Sequence, residues 1–122
     1  MSGFFKRNRQ QGPDLTVLRV ETSSGEHYDQ PSEDALFMLM EDLRSDQDYF
    51  IVESVADTAQ QTYMQVMRVG NGFLVERRSG SEDTHEHATS DDLRAVHQDL
   101  TTWAFGLPRD TALTWEPGYA AS

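Results

Sequence analysis

The sequence predicts an α+β fold, a five-stranded, mostly antiparallel sheet with two helices packed on one face in the order β-α-β-β-β-α-β. Three observations carry this. Short stretches alternate apolar and polar residues, two longer segments space their apolar residues at helical intervals, and a Gly-Asn-Gly turn joins two of the alternating stretches.

The first strand is Leu15–Glu21, with Leu18 and Val20 on one face and Arg19 and Glu21 on the other. SSGEHYDQ follows as a turn or loop. Pro31–Asp46 reads as the first helix. Ser32 is its N-cap, Glu33 and Asp34 favour the positive end of the helix dipole, and Leu36, Leu39, Met40 and Leu43 form a core stripe. Phe37 and Met38 widen that apolar surface and are candidates for a partner or dimer interface.

Asp48–Ala56 is the second strand, with Phe50 and Val52 opposite Tyr49, Ile51 and Glu53. In the third, Thr62–Val69, Met64 and Val66 oppose Tyr63, Gln65 and Met67. Gly70-Asn71-Gly72 predicts a hairpin with a type I′ turn, and Gly72–Arg78 is the returning strand. The second helix is expected over Ser90–Phe105, with Leu93, Val96, His97, Leu100, Trp103, Ala104 and Leu107 on one face and Gly106 and Pro108 ending it. Thr111–Pro117 is the last strand, with Leu113 and Trp115 together.

A chain of 122 residues is one domain, long enough to bury a core. The 25% charged and 37% apolar residues are normal for a globular protein and argue against disorder throughout. Residues 1–13 read as a basic arm, 14–117 as the domain and 118–122 as a loose tail. Cysteine is absent, which excludes disulfides and thiolate chemistry and fits a cytoplasmic protein. No signal-peptide pattern and no apolar run of membrane-spanning length is visible.

The formal charge is −11. Three of the ten bases, Lys6, Arg7 and Arg9, precede the first acid, Asp14; the remaining 7 bases face 21 acids, a charge of −14. A body this negative repels nucleic acid and anionic membranes and steers toward a basic protein.

Strand parity gathers polar residues on one sheet face. Arg19, Glu21, Glu53 and Gln65 lie there, joined by Glu76, Arg78, Thr114 and Glu116 if the register permits. Glu53 and Glu76 beside Arg78 are the candidate acid–base set, because a like charge raises one carboxyl of a pair and a cation lowers the other. A solvated face of cross-strand ion pairs has the same signature. Asp83, His85 and His87 are the candidate metal ligands, since an extended His-x-His points both rings to one side. The same stretch has a local explanation, with Thr89 and Asp92 forming a capping box and Ala88 and Leu93 a hydrophobic staple. His97 reads as a core histidine hydrogen-bonded to backbone. Trp103 and Trp115 read as core anchors, with a groove of Trp115, Tyr119 and Phe105 as the weaker alternative. No nucleophile elbow, P-loop, dinucleotide fingerprint or His-Glu-x-x-His pattern occurs, and no cofactor is expected.

From Asp48 onward, the strand ending IVE, then YMQV, GFLVERRSG, a histidine-containing loop and a helix ending WAFG before a tryptophan strand resemble small uncharacterised actinobacterial α+β proteins. In size, acidity and element order the chain is also similar to immunity proteins that neutralise secreted toxins. The second likeness implies an inhibitor of a protein partner, and neither assigns a site residue.

The sequence therefore leads to a non-enzymatic acidic protein acting through protein contacts, as an inhibitor or immunity-type binder of a basic partner or as a homodimer. Its contact residues would be Phe37, Met38, Glu53, Gln65 and Glu76. The alternatives are a small ligand-binding or hydrolytic domain using Glu53, Glu76 and Arg78, and a metal binder using Asp83, His85 and His87.

Overall fold

The computed structural model describes residues 17–120, so the basic arm at 1–13 and the start of the expected first strand lie outside the described residues. The elements are β1 (Leu18–Thr22), β2 (His27–Asp29), α1 (Glu33–Glu41), β3 (Tyr49–Ser54), β4 (Thr62–Val69), β5 (Gly72–Ser79), a 3-10 helix (Glu82–Thr84), β6 (Glu86–Ser90), α2 (Leu93–Phe105) and β7 (Glu116–Pro117). The α+β class and the two helices agree with the sequence, but the sheet has seven strands where five are expected. Their order is β2-β1-β3-β4-β5-β6-β7, and every pairing is antiparallel. No described helix is long and apolar enough to cross a membrane.

Alternation decides which side of the sheet is covered. Leu18, Val20, Phe50, Val52, Met64, Val66, Phe73, Val75 and Ala88 share one face by register and are buried. They form a single core with Leu36 and Met40 of α1 and Val96, Leu100 and Ala104 of α2. Both helices therefore lie on that face.

α1 is shorter than the expected Pro31–Asp46. It starts at the expected cap, where Ser32 Oγ accepts from the Ala35 N–H, and ends at Glu41 with Asp42 as its C-cap. The residues beyond are drawn toward the end of β4. The Gln47 N–H donates to the Arg68 carbonyl, the Arg68 N–H to the Asp48 carbonyl, and the Gly70 N–H to Asp46 Oδ1. Backbone committed to hydrogen bonds with the end of β4 cannot continue a helix.

The β4–β5 hairpin forms as expected, but its turn differs. Val69 pairs with Gly72, so Gly70 and Asn71 are the central residues, and only Gly70 has positive φ (58°). That is the pattern of type II′, with glycine first, and not of type I′. Gly72 has a separate role, because a Cβ there would stand 2.9 Å from the Ser90 carbonyl oxygen. It lets β6 end and α2 begin close against β5.

The expected Thr89–Asp92 capping box and Ala88–Leu93 staple do not form. Residues Glu86–Ser90 are instead a strand, in which Ala88 is a core residue opposite Val75 and Thr89 pairs with Leu74. Asp92 caps α2, its Oδ1 accepting from the N–H groups of Arg94 and Ala95. The helix ends at Gly106, in the left-handed conformation (φ 61°) that favours glycine. The expected last strand, Thr111–Pro117, shrinks to Glu116–Pro117, because residues 112–115 are held by α2. Asp99, 2% exposed, accepts from the Ala112 N–H (2.7 Å), the Leu113 N–H (3.0 Å) and the Trp115 indole N–H (3.0 Å).

Candidate functional site

The uncovered face of the sheet is set out in rows by the register. Tyr49, Met67, Leu74 and Thr89 form one row across β3 to β6. Glu21, Ile51, Gln65, Glu76, His87 and Glu116 form the next. Arg19, Glu53, Tyr63 and Arg78 form the third. Carboxylates thus flank an apolar patch made by Tyr49, Ile51, Met67 and Leu74, all half-buried. Of the cations in these rows, Arg19 is paired with Asp29 and Arg78 is buried.

Arg78, 8% exposed, is the centre of a side-chain network on this face. Its Nε–H donates to His85 Nδ1 (3.1 Å), one Nη1–H to Gln61 Oε1 (2.7 Å), and Nη2–H to the Tyr119 hydroxyl. His85, 3% exposed, meets Glu76 Oε2 through Nε2 (3.1 Å) and stacks on Tyr119 with ring centroids 4.1 Å apart. Tyr63 completes the group, lying edge-on to His85 and under the Arg78 guanidinium. The partners fix the histidine tautomer. A guanidinium only donates, so Nδ1 accepts; a carboxylate accepts, so Nε2 carries the proton. His85 is therefore a neutral bridge between a buried cation and a half-buried carboxylate. Gly118 and Tyr119, expected in a loose tail, are held here, the Gly118 N–H donating to the His85 carbonyl (2.7 Å).

This arrangement sorts the candidate residues. Glu76 and Arg78 are brought together, but through His85 and not directly. Glu53 stands two strands from Arg78 with Tyr63 between them, a backbone separation of about 10 Å. The two glutamates do not face one another as an acid–base pair. His85 and His87 do share a face, yet their rings serve other partners. The His85 Nδ1 lone pair is taken by Arg78, and His87 Nδ1–H donates to the Gly118 carbonyl (2.8 Å). Asp83 lies in the 3-10 helix, and among the described residues no three His, Cys, Asp or Glu side chains gather as a metal site.

Phe37 and Met38 belong to the helix layer, across the sheet from Glu53, Gln65 and Glu76, so the five contact candidates cannot share one interface. The Phe37 ring is packed by His97 (5.2 Å between centroids) and Arg94. Met38 is 61% exposed and stands alone, as single surface apolar residues commonly do. His97 donates from Nε2 to the Glu33 carbonyl (2.9 Å), tying α2 to the start of α1. Trp115 and Tyr119 lie on opposite sides of the sheet, Trp115 against Asp99 and Arg77 and Tyr119 against His85, so they share no groove.

Burial is the main cause that pushes the Tyr63 hydroxyl above its ordinary 10.0, with Tyr119 and Glu76 adding to the shift and Arg78 opposing it. In alkali the unfolded chain therefore releases this proton first. The stability this group contributes is full below pH about 10 and falls as pH rises toward the folded value. Tyr63→Phe is expected to make that fall shallower, measured as the urea midpoint from about pH 9 to about pH 11. The Tyr28 hydroxyl is also raised, chiefly by its hydrogen bond to Glu26, but is common to both proteins and cancels in the difference.

The network was hidden from the sequence because it needs three segments to converge. The Arg78–His85 contact depends on β6 pairing with β5, and the Tyr119 contact on β7 pairing with β6. The signal that was present is the polar run Glu76-Arg77-Arg78 at the end of an otherwise apolar strand. The chain matches no protein-family model, no curated protein and no solved structure.

Proposed function

We propose that this is a non-enzymatic binding protein whose uncovered sheet face takes a basic protein partner. The observation that supports this reading is the pattern of that face, an apolar patch of Tyr49, Ile51, Met67 and Leu74 bordered by Glu21, Glu53 and Glu76. A partner with lysines or arginines around an apolar centre meets both features. The net charge of −11 adds long-range attraction that speeds encounter. The Arg78–His85–Glu76 network holds one end of the face rigid, which lowers the ordering cost of binding. A homodimer through the same face fits less well, since two copies would set carboxylates against carboxylates.

The test is charge reversal on each layer. Glu21→Lys with Glu53→Lys alters the sheet face, and Asp34→Lys with Glu41→Lys alters α1 by the same amount. A basic protein captured from lysate of the source cells at low salt is expected to bind the wild type and the α1 variant alike. The sheet-face variant should bind it at least about tenfold more weakly, a loss of about 1.4 kcal/mol. Raising salt should weaken the wild-type complex. Capture of no protein, or equal loss in both variants, overturns the reading.

A further inference from the structure

On the helix side of the sheet, a row of core residues is interrupted by an ion pair, Arg77 with Glu86. Val20, Val52 and Met64 form a fully buried row across β1, β3 and β4. The next positions in that row are Arg77 on β5 and Glu86 on β6. Arg77 follows Phe73 and Val75 on the same face, where alternation would place a third core residue. The adjacent pair toward the sheet end is Thr62 with Ser79. With Thr84 of the 3-10 helix and Trp103 of α2, these residues line a cavity of about 360 Å³. That volume is in the range of small-ligand sites.

The charged groups in this cavity are held in place. Arg77 Nε–H donates to Glu86 Oε1 (2.9 Å), and the guanidinium carbon lies 3.8 Å from the Trp115 ring centroid. Trp115 is itself anchored by its indole N–H on Asp99. The Arg77 side chain is 24% exposed and that of Glu86 38%, so both remain reachable. Among the described residues, no hydrogen-bond partner takes the Arg77 Nη groups or Glu86 Oε2. The site thus offers a fixed pair of N–H donors, a carboxylate oxygen beside them and an aromatic wall.

We propose that this cavity binds a small zwitterion, an α-amino acid with an apolar or aromatic side chain. Its carboxylate accepts from the Arg77 Nη groups, its ammonium donates to Glu86 Oε2, and its side chain lies against Trp103. Charge decides against simpler ligands. A free anion meets the potential of a protein carrying −11, and a free cation leaves the Arg77 donors unanswered. A zwitterion has no net charge to repel and answers both groups. The site is on the opposite side of the sheet from the proposed protein-binding face and stands independently of it.

The test follows the Trp103 indole N–H signal by NMR, assigned with Trp103→Phe, using three probes on the wild-type protein. L-phenylalanine carries both charges, N-acetyl-L-phenylalanine lacks the ammonium, and phenethylamine lacks the carboxylate. L-phenylalanine is expected to give a saturable shift, with each truncated probe at least about tenfold weaker. Arg77→Gln and Glu86→Gln should each abolish the preference for L-phenylalanine. No saturable shift, equal shifts from all three probes, or an unchanged preference in Arg77→Gln would overturn the proposal and leave Arg77 and Glu86 as a cross-strand ion pair. Because the probe series is read on wild type, a variant that fails to fold does not remove the test.

Discussion

Asp99→Ala is expected to destabilise the domain by about 3–5 kcal/mol, a large part of the roughly 5–15 kcal/mol that holds a domain together. Asp99 is 2% exposed and accepts three hydrogen bonds, two from consecutive backbone N–H groups and one from an indole. Charge-assisted bonds of this kind contribute more than neutral ones, and removing the acceptor also strands its donors away from water. The loss spreads beyond helix α2. Leu113 leaves the core, Trp115 loses its anchor, and Arg77 loses the ring it lies on. The melting temperature should fall by on the order of 15 °C, with loss of the near-ultraviolet tryptophan signal. Asp99→Asn keeps one acceptor but turns an N–H₂ toward the remaining donors, so about 1–3 kcal/mol is expected. A melting temperature unchanged in the alanine variant would show that segment 112–115 is held by other contacts.

Asp99 also shows where reading by pattern stops. It lies among the core positions Val96, Leu100 and Ala104, but its partners are thirteen to sixteen residues further on and come back only through tertiary folding. Periodicity finds apolar stripes, and a buried acid on that stripe reads as a polar interruption. The strands that were legible are β1, β3, β4 and β5, because each alternates and buries one side. β2 is exposed at all three residues, and β6 buries only Ala88. Such strands are set by hydrogen bonds to a neighbour and leave little trace in their own composition. The false cap at Thr89 has the same origin. Thr89, Ser90, Asp91 and Asp92 can each cap a helix, and the choice falls to Asp92 because β6 occupies the backbone through Ser90.

The uncovered face was legible in outline for the same reason. Alternation groups Arg19, Glu21, Glu53 and Gln65, and the register places them on one side. Which of these touch was not readable, since a face is fixed by parity but a neighbour by register. The helix side was hidden differently. Arg77 has the parity of Phe73 and Val75, so a charged residue at a core-facing position of β5 was visible in GFLVERRS as a departure from the strand's own rule. Departures of this kind mark places where folding consistency has been given up for another role.

His85→Ala and Arg78→Met are each expected to cost about 2–4 kcal/mol, and the double variant little more than either alone. Removing the imidazole leaves the Arg78 Nε–H and the Glu76 carboxylate without their bridge and takes away the ring beneath Tyr119. Removing the guanidinium leaves the His85 Nδ1 lone pair and Gln61 Oε1 without a donor. Each single change therefore strands the other partner, and that penalty is paid once. In a double-mutant cycle this appears as a coupling of about 1–3 kcal/mol from chemical-denaturation midpoints. Simple additivity would mean that the two side chains are satisfied separately by water, and the rigid end of the sheet face would then need another source. His85→Gln is the informative control. Its amide oxygen can accept from Arg78 while its N–H₂ donates to Glu76, so it should recover part of the loss wherever the bridge, and not the ring, supplies the stability. Loss of the stack on Tyr119 should remain in that variant, separating the stacking contribution from the hydrogen bonds.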